Sequence, residues 1–382
     1  MAALSEQIRA QARTAGFDLV GITAAHRAPL ADMLRAWLEH GMHGTMRYME
    51  DPEGRRADPA VYLPWAHSLV VVGLDYWTPH PLPTAPEKGA ISRYAWGLDY
   101  HRIVRARLET LRAAITELAP SCRTHAFVDT SPVLEKGVAE AAGIGWRGKH
   151  TNLLRRRHGS WFFLGGVATD LELEPDAPAH DHCGTCTRCI DVCPTRAIVA
   201  PYVLDARLCI SYLTIEHRGP IGRELRPLIG NRIFGCDDCQ DVCPWNRFAQ
   251  RTQVEGFEPR AGNANPLLVE LMGMTRSEWN RRFKKTPVRR SHYEGFLRNV
   301  AVALGNWGAP EAVPALVARL DDPSPLVRGH VAWALGRVPT AAARAALERR
   351  QAAEMDAWVR EEIAAALVES SAMPGPAAAV SG

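Results

Sequence analysis

The spacing of apolar and polar positions changes along the chain, and each change marks an element. Leu4 to Ala15 carries apolar residues at helical spacing and predicts an amphipathic first helix. Ser68-Leu-Val-Val-Val-Gly73 is a short continuous apolar run, as a buried strand requires. Asp99 to Leu118 returns to helical period through Ile103, Leu108, Leu111 and Ile115. Thr124 to Val128 reads as another strand. The turn Asp129-Thr130-Ser131-Pro132 then opens a helix, with Pro132 at its first position, where a missing N–H goes unnoticed. Gly143-Ile-Gly145 ends that helix, and Trp161 to Leu164 resumes strand character.

Beyond about residue 265 the pattern becomes helical throughout and repeats. Val300-Ala301-x-Ala303-Leu304-Gly305 recurs as Val331-Ala332-x-Ala334-Leu335-Gly336, and again as Ile363-Ala364-x-Ala366-Leu367. Offsets of 31 and 32 residues suit helix pairs stacked as a short HEAT-like solenoid, with Asp321-Asp322-Pro323 at a bend. The expected class is α+β, in four parts. Residues 1–170 form a mixed domain, 171–260 a ferredoxin-like module, 265–370 an all-α repeat, and 371–382 a disordered tail of small residues.

The middle part holds eight of the nine cysteines. Cys183-x2-Cys186-x2-Cys189-x3-Cys193-Pro194 matches the bacterial two-cluster ferredoxin run. Cys236-x2-Cys239-x3-Cys243-Pro244 has the same ending without its first cysteine, and Cys209 is the unclaimed cysteine nearby. In such pairs the fourth cysteine of each run crosses to the other cluster. The spacing therefore assigns Cys183, Cys186, Cys189 and Cys243 to one [4Fe–4S] cluster, and Cys193, Cys209, Cys236 and Cys239 to the second. Zinc uses paired C-x2-C units and fits the third cysteine less well. A disulfide framework needs a secreted chain, and Met1-Ala-Ala-Leu-Ser-Glu opens no signal peptide. Cys122 is left over and reads as a small buried hydrophobe.

Composition adds limits. At 382 residues and 47% hydrophobic content there is material for two or three domains, and no apolar run approaches the roughly 18 residues of a membrane span. Thiolate clusters need a reducing compartment, so a cytoplasmic setting without membrane contact is expected. Net charge is only +3, but basic residues gather at Arg155-Arg156-Arg157 and from Arg281 to Arg298. Phe283, Tyr293 and Phe296 interleave with the second group, as in an RNA-binding face, although a solvated helix face explains the same charges.

Asp129 sits between a predicted strand and a predicted helix. A carboxylic acid there can protonate a leaving oxygen if burial raises its pKa, or it can simply cap the helix. Arg93-Tyr94 to His101 is rich in polar aromatics and suits a large flat ligand or a packed loop. Gly143 to Lys149 offers backbone room and a cation, without forming a phosphate loop.

Together these elements resemble the epoxyqueuosine reductase family, which completes the tRNA wobble nucleoside queuosine. The resemblance rests on the double cysteine run, Val128-Asp129-Thr-Ser-Pro-Val-Leu-Glu135-Lys136, Gly145-Trp146-Arg-Gly148-Lys149, Arg93-Tyr94, Asp99-Tyr100-His101 and Arg56-Ala-Asp58-Pro59. It implies a nitroreductase-like N-terminal domain that binds cobalamin, although no Asp-x-His-x-x-Gly box is present. It also implies Asp129 as proton donor, and corrin contacts near Arg56, Tyr94, Asp99, Tyr100, His101, Lys149, Cys236 and Asp237. Electrons from an external donor would pass through both clusters to cobalamin. The Arg281–Arg298 strip and the helical repeat of a monomer would hold the anticodon arm of the tRNA. A corrinoid reductive dehalogenase or a non-catalytic electron carrier are the alternatives. The former is typically exported behind a twin-arginine signal, and the latter needs no N-terminal mixed domain.

Overall fold

The structure, a computed structural model, describes residues 2–26 and 28–372. The expected disordered tail lies outside these residues except for positions 371 and 372, which complete the last helix. The chain forms two compact units, and segments of both weave along the sequence. The first comprises residues 1–79, 97–207 and 237–258, and the second 80–96, 208–236 and 259–382. The boundaries expected at 170 and 260 do not coincide with these units, because the cysteine-rich segment contributes to both.

A four-stranded sheet organises the first unit, in the order Leu19–Ala24, Ser68–Asp75, Phe162–Thr169 and Thr124–Phe127, with every neighbouring pair antiparallel. Every residue of Ser68–Asp75 is buried. A central strand covered on both faces has no polar side to present, which is why it reads as an unbroken apolar run. Leu69 and Val71 face one way and pack with Val138 and Ala139 of the Glu135–Ala141 helix. On the other face Gly165, the register partner of Val72, lies against Val104 and Leu108 of the Tyr100–Leu118 helix. That helix buries Leu108, Leu111 and Ile115 as expected, with Val104 in place of Ile103, which is half-buried. One expected element moves. The helix after the Asp129 turn begins at Glu135, not at Pro132, because residues 131–135 first form tight turns through Ser131 O and Val133 O.

In the second unit the three copies of the repeat fall in the helices Tyr293–Trp307, Pro325–Gly336 and Ala357–Ala372, which pack in succession. Gly305 lets the first two approach closely: a Cβ there would lie 2.6 Å from the Trp333 ring and 2.9 Å from Ala334 Cα. Two buried ion pairs lock the stack. Arg226 meets Glu362 at 2.6 and 2.8 Å, and Arg328 meets Glu354 at 2.8 Å twice. Arg298 and Asn299 reach backbone carbonyls of Leu213, Thr214, His217, Gly219 and Ile233, and so fasten the 208–236 segment to the repeat. Among the described residues no helix is long and apolar enough to cross a membrane.

Gly305→Ala is expected to cost about 1–3 kcal/mol through overpacking. Gly295→Ala, whose added Cβ meets nothing within 4 Å, is expected to leave stability level or slightly raised. Chemical denaturation of the two variants beside the parent protein checks the difference.

Candidate functional site

Asp99 and Asp129 hold the two ends of one imidazole in the first unit. Asp99 caps the Tyr100–Leu118 helix by accepting the His101 backbone N–H at 3.1 Å, and its Oδ1 also lies 2.7 Å from His101 Nδ1. The other ring nitrogen, Nε2, is 2.8 Å from Asp129 Oδ2. Tyr100 stacks on the His101 ring at 4.1 Å and lies parallel to Phe163 at 4.2 Å, which fixes the imidazole's plane. Asp129 has φ of 48°, in the left-handed region that non-glycine residues rarely adopt. Such strain costs about 1–3 kcal/mol and persists only where neighbours enforce it. Here the Glu135 carboxyl does so, accepting the Asp129 N–H at 2.5 Å.

The charges follow from that geometry. Burial opposes the imidazolium, but the hydrogen bonds it donates to Asp129 and Asp99 outweigh it and hold His101 at about 9. Burial also acts upward on Asp99, yet the His101 contact leaves its carboxyl below the usual range. Desolvation, reinforced by the charge of Asp129, pushes Glu135 up to about 8, against the pull of the Asp129 N–H, His101 and Arg56. At neutral pH two protons are therefore stored beside Asp129, on His101 and on Glu135. This corrects the capping reading of Asp129: it caps no helix, since the cap position is Leu134. Its side chain is 52% exposed, so the carboxylate reaches solvent with His101 and Glu135 beside it.

A second constellation surrounds the cysteines. Cys183, Cys186, Cys189 and Cys243 line one cavity of about 70 Å³, so the fold brings Cys243 beside the first run. Burial pushes the thiols of Cys183 and Cys243 up, and burial with the neighbouring sulfurs of Cys243, Cys183 and Cys186 takes Cys189 to about 11. Three crowded, desolvated thiols that resist ionisation, with Cys186 beside them, fit a cationic iron cluster, which supplies the compensating charge. Cys193 and Cys239 belong to the first unit, and Cys209 and Cys236 to the second. Cys193 Sγ accepts the Ala197 N–H at 3.2 Å, and Cys209 sits at the N-cap of the Ile210–Ile215 helix.

Several expected ligand contacts have other work. Lys149 donates to the carbonyls of Gly184 at 2.7 Å and Cys186 at 3.0 Å, so it clamps the cysteine loop instead of reaching outward. Arg56 donates to Tyr48 O, and its charge acts on Glu135. Asp237 is buried in the first unit. Tyr94 lies in the second unit, its ring 6.0 Å from that of Phe234. His150 was missed, although its place in the Gly145 to Thr151 segment was a signal. It is 3% exposed and is held down to about 4, chiefly by burial, and so stays neutral.

The basic strip changes most. Phe283 and Phe296 are fully buried and Tyr293 nearly so, so none of them can stack on a base. Arg298 is a core residue, and Arg290 is paired with Glu216 at 2.9 Å. The exposed cations that remain are Arg281, Lys284, Lys285 and Arg289.

His101's folded value of about 9 lies above its ordinary 6.5. Its contribution to stability is complete below pH 6.5 and is lost as pH rises through about 9. His101→Gln should therefore flatten the decline of stability between those pH values, as followed by denaturant unfolding.

Three family models match the chain: the epoxyqueuosine reductase QueG model over residues 56–130, the 4Fe-4S double cluster binding domain over 182–246, and HEAT repeats over 290–368. The epoxyqueuosine reductase of Pseudomonas aeruginosa is 48% identical over 350 residues, covering 88% of this chain and 95% of its own. A solved epoxyqueuosine reductase in complex with an epoxyqueuosine-modified tRNA stem loop superposes with a TM-score of 0.90 at 33% identity, over 97% of this chain and 99% of that one. The Bacillus subtilis enzyme, solved with its catalytic aspartate loop swung out of the active site, gives 0.89 at 32% identity, over 96% and 99%. With its double [4Fe–4S] segment and its HEAT repeats, the chain belongs to the epoxyqueuosine reductase family.

Proposed function

We propose that this protein reduces epoxyqueuosine to queuosine at the wobble position of tRNA, with Asp129 passing a proton to the departing oxygen. The observation that carries the reading is the Asp99–His101–Asp129 array, an exposed carboxylate backed by a protonated imidazole. Removing an epoxide oxygen as water consumes two electrons and two protons, and His101 and Glu135 each hold one proton at neutral pH.

Cys183, Cys186, Cys189 and Cys243 hold one cluster of this reading. Cys193, Cys209, Cys236 and Cys239 are assigned to the other by spacing. Cobalamin, when bound, supplies the low-potential electron pair that opens the epoxide. The chemistry of the first unit suits it: Arg56 and Asp129 offer polar partners for a corrin's amide side chains. With both ring nitrogens engaged by carboxylates, His101 leaves no lone pair for cobalt.

The chain's own residues order the proton steps. Tyr100 holds the imidazole in plane, and Asp99 anchors Nδ1 so that Nε2 points its proton at Asp129. The strained backbone at Asp129 turns the carboxylate outward, and Glu135 keeps that turn in place. The aspartate loop of the Bacillus subtilis relative moves, and a loop of this kind in Asp129's position can close on substrate. The stem-loop complex of the family supports tRNA as substrate, with Arg281, Lys284, Lys285 and Arg289 as phosphate contacts in this chain. We take the setting to be the reducing cytoplasm and the protein to be a monomer served by an external electron donor.

Protein reconstituted anaerobically with iron, sulfide and cobalamin should convert epoxyqueuosine to queuosine in tRNA only when the corrin is present. Asp129→Asn should keep eight irons and the corrin absorbance while turnover falls about 100-fold or more, the range of a lost general acid. Wild-type turnover should fall as pH rises through about 8 to 9, where Glu135 and His101 give up their protons. Corrin-independent conversion, or full activity in Asp129→Asn, would sink the reading.

A further inference from the structure

We propose that His150 donates a hydrogen bond from Nε2 to a sulfur of the cluster held by Cys183, Cys186, Cys189 and Cys243, and thereby sets that cluster's reduction potential. The inference rests on the ligand assignment above.

His150 lines the same cavity as those four cysteines. Its ring is 3% exposed, and Nε2 has no hydrogen-bond partner among the described residues. The other nitrogen decides the tautomer: Nδ1 accepts the Asn152 backbone N–H at 3.1 Å, so Nδ1 bears no proton and Nε2 bears one. A buried N–H without an acceptor is costly, and the cavity it shares with a second histidine, His182, holds the cluster's four sulfur donors. The ring is also held in place. Lys136 Nζ donates to Asn152 Oδ1 at 3.0 Å, which steadies the residue that fixes Nδ1. A Cβ at position 148 would lie 3.0 Å from His150 Cε1 and 3.2 Å from Nε2, so Gly148 leaves the room the ring edge needs.

Hydrogen bonds to cluster sulfurs raise the reduction potential, because they stabilise the more negative, reduced state. His150 is thus a positioning residue for electrons. It touches no substrate, but it sets how readily its cluster accepts the electron it must pass on.

The test is an EPR-monitored redox titration of the reconstituted full-length protein, comparing wild type, His150→Phe and His150→Gln. His150→Phe should weaken reduction of one cluster about tenfold, a shift of about 59 mV for a one-electron couple, while the other cluster stays put. His150→Gln, which keeps an N–H donor, should remain near wild type. Unmoved potentials in His150→Phe would overturn the proposal, as would an equal shift in His150→Gln, since packing would then be the cause. If His150→Phe does not load eight irons, wild type labelled with 15N-histidine decides. A nitrogen coupling on the reduced cluster signal that survives His182→Ala supports the bond, and its absence removes it. Wild type that loads fewer than eight irons would instead fault the ligand assignment, and the proposal with it.

Discussion

Four sulfurs drawn into one small cavity make the demand that the rest of the first unit answers. Cys189 and Cys243 are far apart in sequence, and burial together with the neighbouring sulfurs makes their thiolates, the form that iron binds, costly without metal. Iron supplies the opposing charge, so the folding of this segment and the loading of the cluster are one process. The surrounding backbone is arranged for that. Lys149 gathers the carbonyls of Gly184 and Cys186, and Asp181 accepts the Cys183 N–H at 2.7 Å while also bonding the Tyr202 hydroxyl. Each contact restrains the backbone of the cysteine loop. The loop geometry is therefore set by one cation on two carbonyls and by one carboxylate on a backbone N–H.

The proton store and the cluster cavity meet on one helix turn. Glu135 turns to the Asp129 backbone, and Lys136, the next residue, turns to Asn152, whose N–H fixes His150. Side chains at adjacent helical positions diverge by about 100°, so one short helix can face a carboxylate relay on one side and the cluster segment on the other. The sheet beneath holds this helix through Val138 and Ala139, packed on Leu69 and Val71. A chemistry that consumes electrons and protons together needs both supplies at fixed distance. This fold fixes them to the same rigid element.

Much of this was legible. The cysteine spacing carries its own ligand pattern, the apolar run at Ser68 declares a strand covered on both faces, and the repeated Val-Ala-x-Ala-Leu-Gly marks the helices that stack. The strand Leu19–Ala24 went unread because it is short and interrupted by Gly21; its register against Ser68–Gly73 is a tertiary fact. His101's part was hidden for the same reason. The Asp99 that orients it is local, but the Asp129 that completes the array arrives through the fold. The basic strip misled because charge draws the eye. Tyr293, Phe296 and Val300 recur at helical spacing, a core stripe that the flanking arginines disguise. Arg298 is buried on the opposite side of the same helix, where its guanidinium is spent on buried carbonyls.

The crossed ligation of the first cluster is the central claim, and iron counting on two double variants tests it most directly. If Cys189 and Cys243 serve the same cluster, Cys189→Ala with Cys243→Ala removes one cubane and leaves about four irons per chain, as one [4Fe–4S] cluster requires. Cys239→Ala with Cys243→Ala then strikes both clusters and leaves almost none. The reverse outcome, with irons lost wholly in the first pair and half retained in the second, would show that Cys243 stays with its own run and would contradict the account.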